Sequence, residues 1–140
     1  MAETDGAVSH LFFAGEAAPA GFTLAESPLL RETAAQLAEY FAGERKTFAV
    51  PLAPRGTDFM LSVWRALRDI PFGETRSYKE IAARVGKPRA SRAVGMANNR
   101  NPIAILIPCH RVIGANGSLV GYAGGLSVKR FLLDLESGRA

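Results

Sequence analysis

The chain has a single cysteine, Cys109, and two histidines, His10 and His110, in 140 residues. One cysteine excludes an internal disulfide and fits a reducing compartment. With the histidines at opposite ends of the sequence, it leaves no recognisable zinc spacing, and no metal is expected. The longest apolar run near the cysteine is far too short to cross a bilayer. The opening residues Met1-Ala2-Glu3-Thr4-Asp5 are acidic and lack the basic and apolar regions of a signal peptide. A cytoplasmic protein is expected, or a nuclear one in a eukaryote. There is no internal repeat and no low-complexity tract. Charged residues are scarce, 21% against 48% apolar, which excludes disorder and fits one domain with at most a small attachment.

The charge present is unevenly placed. Residues 1–57 hold four basic and seven acidic side chains, and residues 58–140 hold thirteen and six, so the halves differ in sign. Within 76–111 lie Arg76, Lys79, Arg84, Lys87, Arg89, Arg92, Arg100 and Arg111 against Glu80 alone. A basic balance focused on one segment is the footprint of a polyanion partner. On charge alone a solvated basic face is an equal reading.

Local chemistry places the elements. The patterns 11–13 and 21–24 read as short strands around a loop. Ser27-Pro28 opens a helix over 27–42, with Leu30, Ala34, Leu37, Ala38 and Phe41 as its inward stripe. Residues 47–52 read as an edge strand because of Pro51, and 53–56 as a linker. Thr57 caps a helix to about Asp69, whose buried stripe is Phe59, Val63, Ala66, Leu67 and Ile70; Trp64 is read as packing. Ser77 and Glu80 have capping-box spacing. Short helices over 78–85 and 90–98, joined through Gly86, read as a helix-turn-helix. The run 103–106 reads as a buried strand ending at the cysteine. Asn116-Gly117 marks a tight turn, and Gly121–Gly125 is a loop suited to close approach by a flat ligand. A last helix over 127–136 is expected to bury Val128, Phe131, Leu132 and Leu135.

Cys109-His110-Arg111 follows the apolar run and Pro108. A thiol reacts as thiolate, and a nearby cation or a proton-accepting histidine raises the thiolate fraction. In an extended segment Cys109 and His110 point to opposite sides, so contact requires a bend after Pro108. As a base, His110 needs an acid to fix its tautomer. Asp134 and Glu136 are the candidates. A Cys-His pair by itself is more often inert than catalytic. The basic helix-turn-helix before it and the glycine-rich loop after it shift that balance.

The ordered set Ser77-Tyr78, Ser91-Arg92-Ala93-Val94-Gly95-Met96-Ala97, Asn101-Pro102-Ile103, Ile107-Pro108-Cys109-His110-Arg111-Val112-Ile113-Gly114, Gly121-Tyr122-Ala123-Gly124-Gly125-Leu126, Lys129, Leu132-Leu133 and Leu135-Glu136 closely resembles the O6-alkylguanine-DNA alkyltransferases. These are the methylated-DNA–protein-cysteine methyltransferases. The resemblance covers about residues 57–140 in one register. It implies DNA repair by irreversible transfer of an alkyl group from guanine O6 to Cys109, one event per molecule, with no cofactor. The partner is double-stranded DNA carrying O6-alkylguanine, and O4-alkylthymine is a further candidate substrate. The protein is expected to be a monomer able to bind DNA cooperatively.

The resemblance also implies roles. His110 would take the thiol proton through water, Glu136 would orient His110, Tyr78 would donate to the departing guanine, and Asn101 would brace the turn before the active-site segment. Arg92 would enter the base stack in place of the flipped nucleotide, from a recognition helix whose Ser91 and Ala93 approach the minor groove. On the charge pattern rather than the resemblance, Arg89, Arg100 and Arg111 are expected to complete the DNA-binding set. Val112, Tyr122, Ala123, Gly124 and Gly125 would line the base pocket. The implied fold is α+β: a mostly helical C-terminal domain over 57–140 with a helix-turn-helix and a small sheet. It is preceded by a linker at 53–56 and a reduced α/β N-terminal domain of ribonuclease-H-like type over 1–52. The departure from the family is that short N-terminal part. Its alternatives in function are an alkyltransferase-like protein that binds lesions without transfer, which Cys109 argues against, a cysteine hydrolase, and a helix-turn-helix regulator.

Overall fold

The computed structural model describes residues 1–13, 26–119, 122 and 124–138. The order is β1 (Ala2–Thr4), β2 (Ala7–His10), α1 (Pro28–Phe41), α2 (Asp58–Arg68), β3 (Arg76–Ser77), α3 (Tyr78–Arg84), α4 (Ser91–Asn99), a 3-10 turn (Cys109–Arg111), β4 (Val112–Ile113) and α5 (Leu126–Ser137). This is an α+β arrangement: helices with, among the described residues, two two-stranded sheets. No described helix is long and apolar enough to cross a membrane.

Cap chemistry sets the helix starts. Ser27, Thr57 and Ser77 each accept from the backbone N–H three residues on, and Glu80 returns the bond to the Ser77 N–H. Between α2, α3 and α4 the core is built from Val63, Leu67, Ile81, Ala82, Val94 and Ala97. Trp64 belongs to it, with Nε1 donating to Ala97 O at 2.9 Å, so the indole packs without an orphaned donor. β3 pairs in parallel with β4, Arg76 opposite Val112 and Ser77 opposite Ile113. That two-residue ladder ties the start of the helix-turn-helix to the chain just past Cys109.

The N-terminal strands lie earlier than the pattern suggested. β1 and β2 form a hairpin through Asp5 and Gly6, both at positive φ (51° and 80°). Asp-Gly at a two-residue turn is the sequence signal for this hairpin. Leu11 makes only an isolated bridge to Ile103, and residues 21–24 lie outside the described residues. The segment 47–52 is not a strand either. Leu52 bridges Val8 while Pro51 O accepts from Val8 N–H, leaving Pro51 as an edge without a donor.

The run 103–106 is a buried turn rather than a strand. Ile105 sits at φ 74°, Leu106 N–H donates to Ala104 O, and Ile107 N–H donates to Ile103 O. Positive φ is costly for a β-branched residue. It is held because the whole segment is buried and Asn101 spans it, Nδ2 donating to Ile107 O at 2.8 Å and Oδ1 accepting from Ile103 N–H at 3.0 Å.

Two helices are rotated from their expected faces. α1 buries Thr33, Gln36 and Tyr40, while Ala34, Ala38 and Phe41 face outward. Polar side chains go inside because each has a partner there: Thr33 donates to Leu29 O, Gln36 accepts from Ala49 N–H, and Tyr40 donates to Glu136. α5 buries Lys129, Leu132 and Glu136, and Phe131 is half exposed, its ring near that of Phe41.

Candidate active site

Pro108 takes φ −79° and ψ 64°, the inverse γ-turn conformation, and Cys109 N–H donates to Ile107 O across it. The following 3-10 turn is the bend that an extended chain lacks. Asn98 Nδ2 donates to Cys109 O at 3.2 Å, fixing the turn against the end of α4. Cys109 is 4% exposed. It borders a cavity of about 230 Å³ whose walls include Asn99, Asn101, Ala104 and Tyr122, with Phe12 and Phe13 closing it from the N-terminal side.

Burial pushes the Cys109 thiol up, while a hydrogen bond from the Asn101 side chain and the charge of Lys129 pull it back. Lys129 is fully buried on α5, with Nζ donating to Val112 O and lying 5.9 Å from the centre of the Tyr78 ring. Tyr78 opens α3 half-buried, and burial followed by the nearby thiol raises its pKa. The Tyr122 hydroxyl is buried without a well-aligned hydrogen-bond partner; burial and the Cys109 thiol both push its pKa up.

The two acidic candidates separate clearly. Asp134 is only half-buried and lines a cleft with Arg130 and Thr75 that Glu136 also borders. Glu136 meets His110, Oε2 to Nε2 at 2.6 Å. Glu136 accepts five hydrogen bonds: Tyr40 Oη (2.6 Å), His110 Nε2 and Arg111 Nη2 (3.0 Å) on Oε2, and Arg111 Nε (2.8 Å) and Gly73 N (3.3 Å) on Oε1. Burial pushes this carboxyl up, but the bonds from His110, Arg111 and Tyr40 outweigh it and hold its pKa at about 2. Burial holds the His110 pKa below its ordinary value, against the pull of Glu136. The resting pair is therefore a carboxylate and a neutral imidazole. Its proton lies on Nε2, and Nδ1 is a bare acceptor with no partner among the described residues. That arrangement equips His110 to receive a proton on Nδ1.

The remaining candidates divide. Arg89, Arg92, Ala93 and Arg100 are exposed and Ser91 is half-buried, all at or beside α4. Arg111 departs from the DNA-binding set in which its charge placed it. It is 6% exposed, with its guanidinium on Glu136 and Nη1 donating to Ile70 O at 2.7 Å, so it braces the carboxylate from inside. Of the pocket candidates, Tyr122 lines the cavity beside Cys109 and Val112, Gly124 and Gly125 do not. Val112 is buried in the core, while Gly125 begins α5. At Gly124 a Cβ would come within 2.9 Å of both the Phe13 and Tyr122 rings, which is why the loop carries no side chain there. Ala123 lies outside the described residues. Among the described residues no group of three His, Cys, Asp or Glu side chains is placed to hold a metal.

Sequence reasoning missed Tyr40 and the buried charge of Lys129. A signal existed for both. Thr33, Gln36 and Tyr40, like Lys129, Leu132 and Glu136, repeat at i, i+3 and i+7, one face of a helix.

Residues 58–138 match the family described as 6-O-methylguanine DNA methyltransferase, DNA binding domain. A methylated-DNA–protein-cysteine methyltransferase of Methanosarcina acetivorans is 68% identical over 106 residues, 76% of this chain and 68% of that protein. The constitutive protein of that name from Bacillus subtilis is 59% identical over 112 residues, 79% of this chain and 68% of the relative. The crystal structure of Mycobacterium tuberculosis OGT in complex with DNA superposes with a TM-score of 0.90 at 51% identity, covering 99% of this chain and 86% of that one. The fold, the match across most of the C-terminal half and these identities establish that the chain belongs to the methylated-DNA–protein-cysteine methyltransferase family.

Proposed function

We propose that this protein repairs DNA by direct damage reversal, moving the alkyl group of O6-alkylguanine onto Cys109 in a single irreversible event. The observation that carries the reading is the chain's only cysteine at a cavity wall, followed by a neutral histidine that an ionised, buried Glu136 orients. The Cys109 proton passes through water to His110 Nδ1. The sulfur forms a bond to the alkyl carbon as the carbon–O6 bond breaks, and the electron pair goes to guanine O6. Tyr78 donates to the departing base, which leaves as guanine. The product thioether has no easy reversal, so each molecule acts once.

Guanine O6 lies inside the duplex, so the nucleotide must be extruded at a cost of a few kcal/mol. Arg92 on the exposed face of α4 fills the gap, and small Ala93 and Gly95 let the helix approach the minor groove. Arg89 and Arg100 hold phosphates, which makes binding salt-sensitive and independent of flanking sequence. Asn101 braces the sulfur-bearing turn, as its two bonds across 101–107 support. Tyr122 lines the base pocket, as its place in the cavity wall beside Cys109 supports. We assign residues 1–52 to a reduced N-terminal domain of ribonuclease-H-like type, joined through 53–56 to the alkyltransferase domain at 57–140. The hairpin followed by α1 supports that assignment.

The test is transfer of label from duplex DNA carrying methyl-labelled O6-methylguanine. About one methyl per chain is expected, all on Cys109, and none on Cys109→Ala. Multiple turnover, or label on another residue, overturns the reading.

A further inference from the structure

We infer that Tyr40 is a positioning residue for the transfer: by donating its hydroxyl to the Glu136 oxygen that also holds His110, it limits how strongly the carboxylate draws on the imidazole. The inference rests on the reading above, in which His110 receives the Cys109 proton. Tyr40 is fully buried, and its Oη lies 2.6 Å from Glu136 Oε2, the same separation as His110 Nε2. Its ring is fixed by those of Phe41, Phe48 and Phe72, so the hydroxyl has one direction to point. It reaches the site from α1, outside the matched segment 58–138. The N-terminal part thus contributes an atom to the proton relay.

The groups facing this pair are few. Arg111 and Cys109 come from the 3-10 turn, Lys129 from α5, Tyr122 from the loop before α5, and the Gly73 N–H from the turn after α2. Arg111 keeps Glu136 ionised whether or not Tyr40 is present. A carboxylate oxygen shared among donors is a weaker acceptor for each of them. Without the hydroxyl, Glu136 draws harder on Nε2–H and His110 becomes an imidazolium at higher pH. An imidazolium cannot accept the thiol proton, so the acid limb of the reaction moves upward.

With only two histidines in the chain, both imidazoles can be followed by NMR titration. Tyr40→Phe keeps the ring packing and removes one oxygen. It is expected to raise the His110 midpoint by about 0.5–1 pH unit, as loss of one hydrogen bond of ordinary net strength implies, and to leave His10 in place. The acid limb for Cys109 alkylation by free O6-benzylguanine should rise by the same amount. Replacing Tyr40 by 3,5-difluorotyrosine, a stronger donor of nearly the same shape, should move both downward. A His110 midpoint that stays put or falls in Tyr40→Phe, or a limb that does not follow it, overturns the inference. A wild-type protein that takes no label on Cys109 overturns the transfer reading instead, and the His110 midpoint still reports whether Tyr40 acts on the pair.

Discussion

Replacing Arg111 by alanine separates a buried brace from a DNA contact. Glu136 is held at about 2 against an ordinary 4.5, which corresponds to about 3 kcal/mol of stability at neutral pH. Arg111 supplies two of its five hydrogen bonds and a full positive charge, and also covers Ile70 O. Breaking a buried pair by removing one partner costs about 3–5 kcal/mol, because the other charge stays behind. Arg111→Ala should therefore lose about 3–5 kcal/mol in urea unfolding at pH 7. The sign with pH follows from the depressed carboxyl. Its stabilisation is complete above the unfolded value and is lost as pH falls from 4.5 toward 2. In the variant Glu136 titrates nearer its ordinary range, so the deficit should narrow below about pH 4. The salt dependence of DNA binding should not change. A deficit under about 1 kcal/mol that is constant with pH, together with a shallower salt slope, would refute the buried role and return Arg111 to the DNA surface.

Arg92→Ala should slow transfer from duplex DNA more than reaction with free O6-benzylguanine; equal slowing would remove its flipping role. Arg89→Ala and Arg100→Ala should each flatten the slope of log affinity against log salt by about 0.9 in a DNA titration, since each releases one phosphate contact. Asn101→Ala removes both bonds across the buried turn and should cost about 2–3 kcal/mol in urea unfolding. It should also slow Cys109 alkylation, because the thiol loses the amide that pulls its pKa down.

The parts of the fold legible in the sequence are those decided by neighbours. α2 and α3 start where Thr57 and Ser77 offer a side-chain oxygen to the third N–H along, a choice made within one turn. The candidate nucleophile was legible because the chain has one cysteine and an ordered motif set surrounds it. What was not legible turns on partners far along the chain. Gln36 and Tyr40 fall outside the apolar stripe expected of α1, and they are buried because Ala49 and Glu136 give them partners inside. The run 103–106 has the composition of a strand, and its burial together with the Asn101 amide reaching across to Ile107 holds the turn at Ile105. Arg111 counts as a surface charge in any tally, yet it is buried because Glu136 and Ile70 O satisfy it. Two of these misses, Tyr40 and Arg111, share one carboxylate with His110. Glu136 therefore couples α1, the turn bearing Cys109, and α5 through a single charge. A change at any of its donors, Tyr40 on α1 included, should register as a shift of the His110 midpoint in an NMR titration.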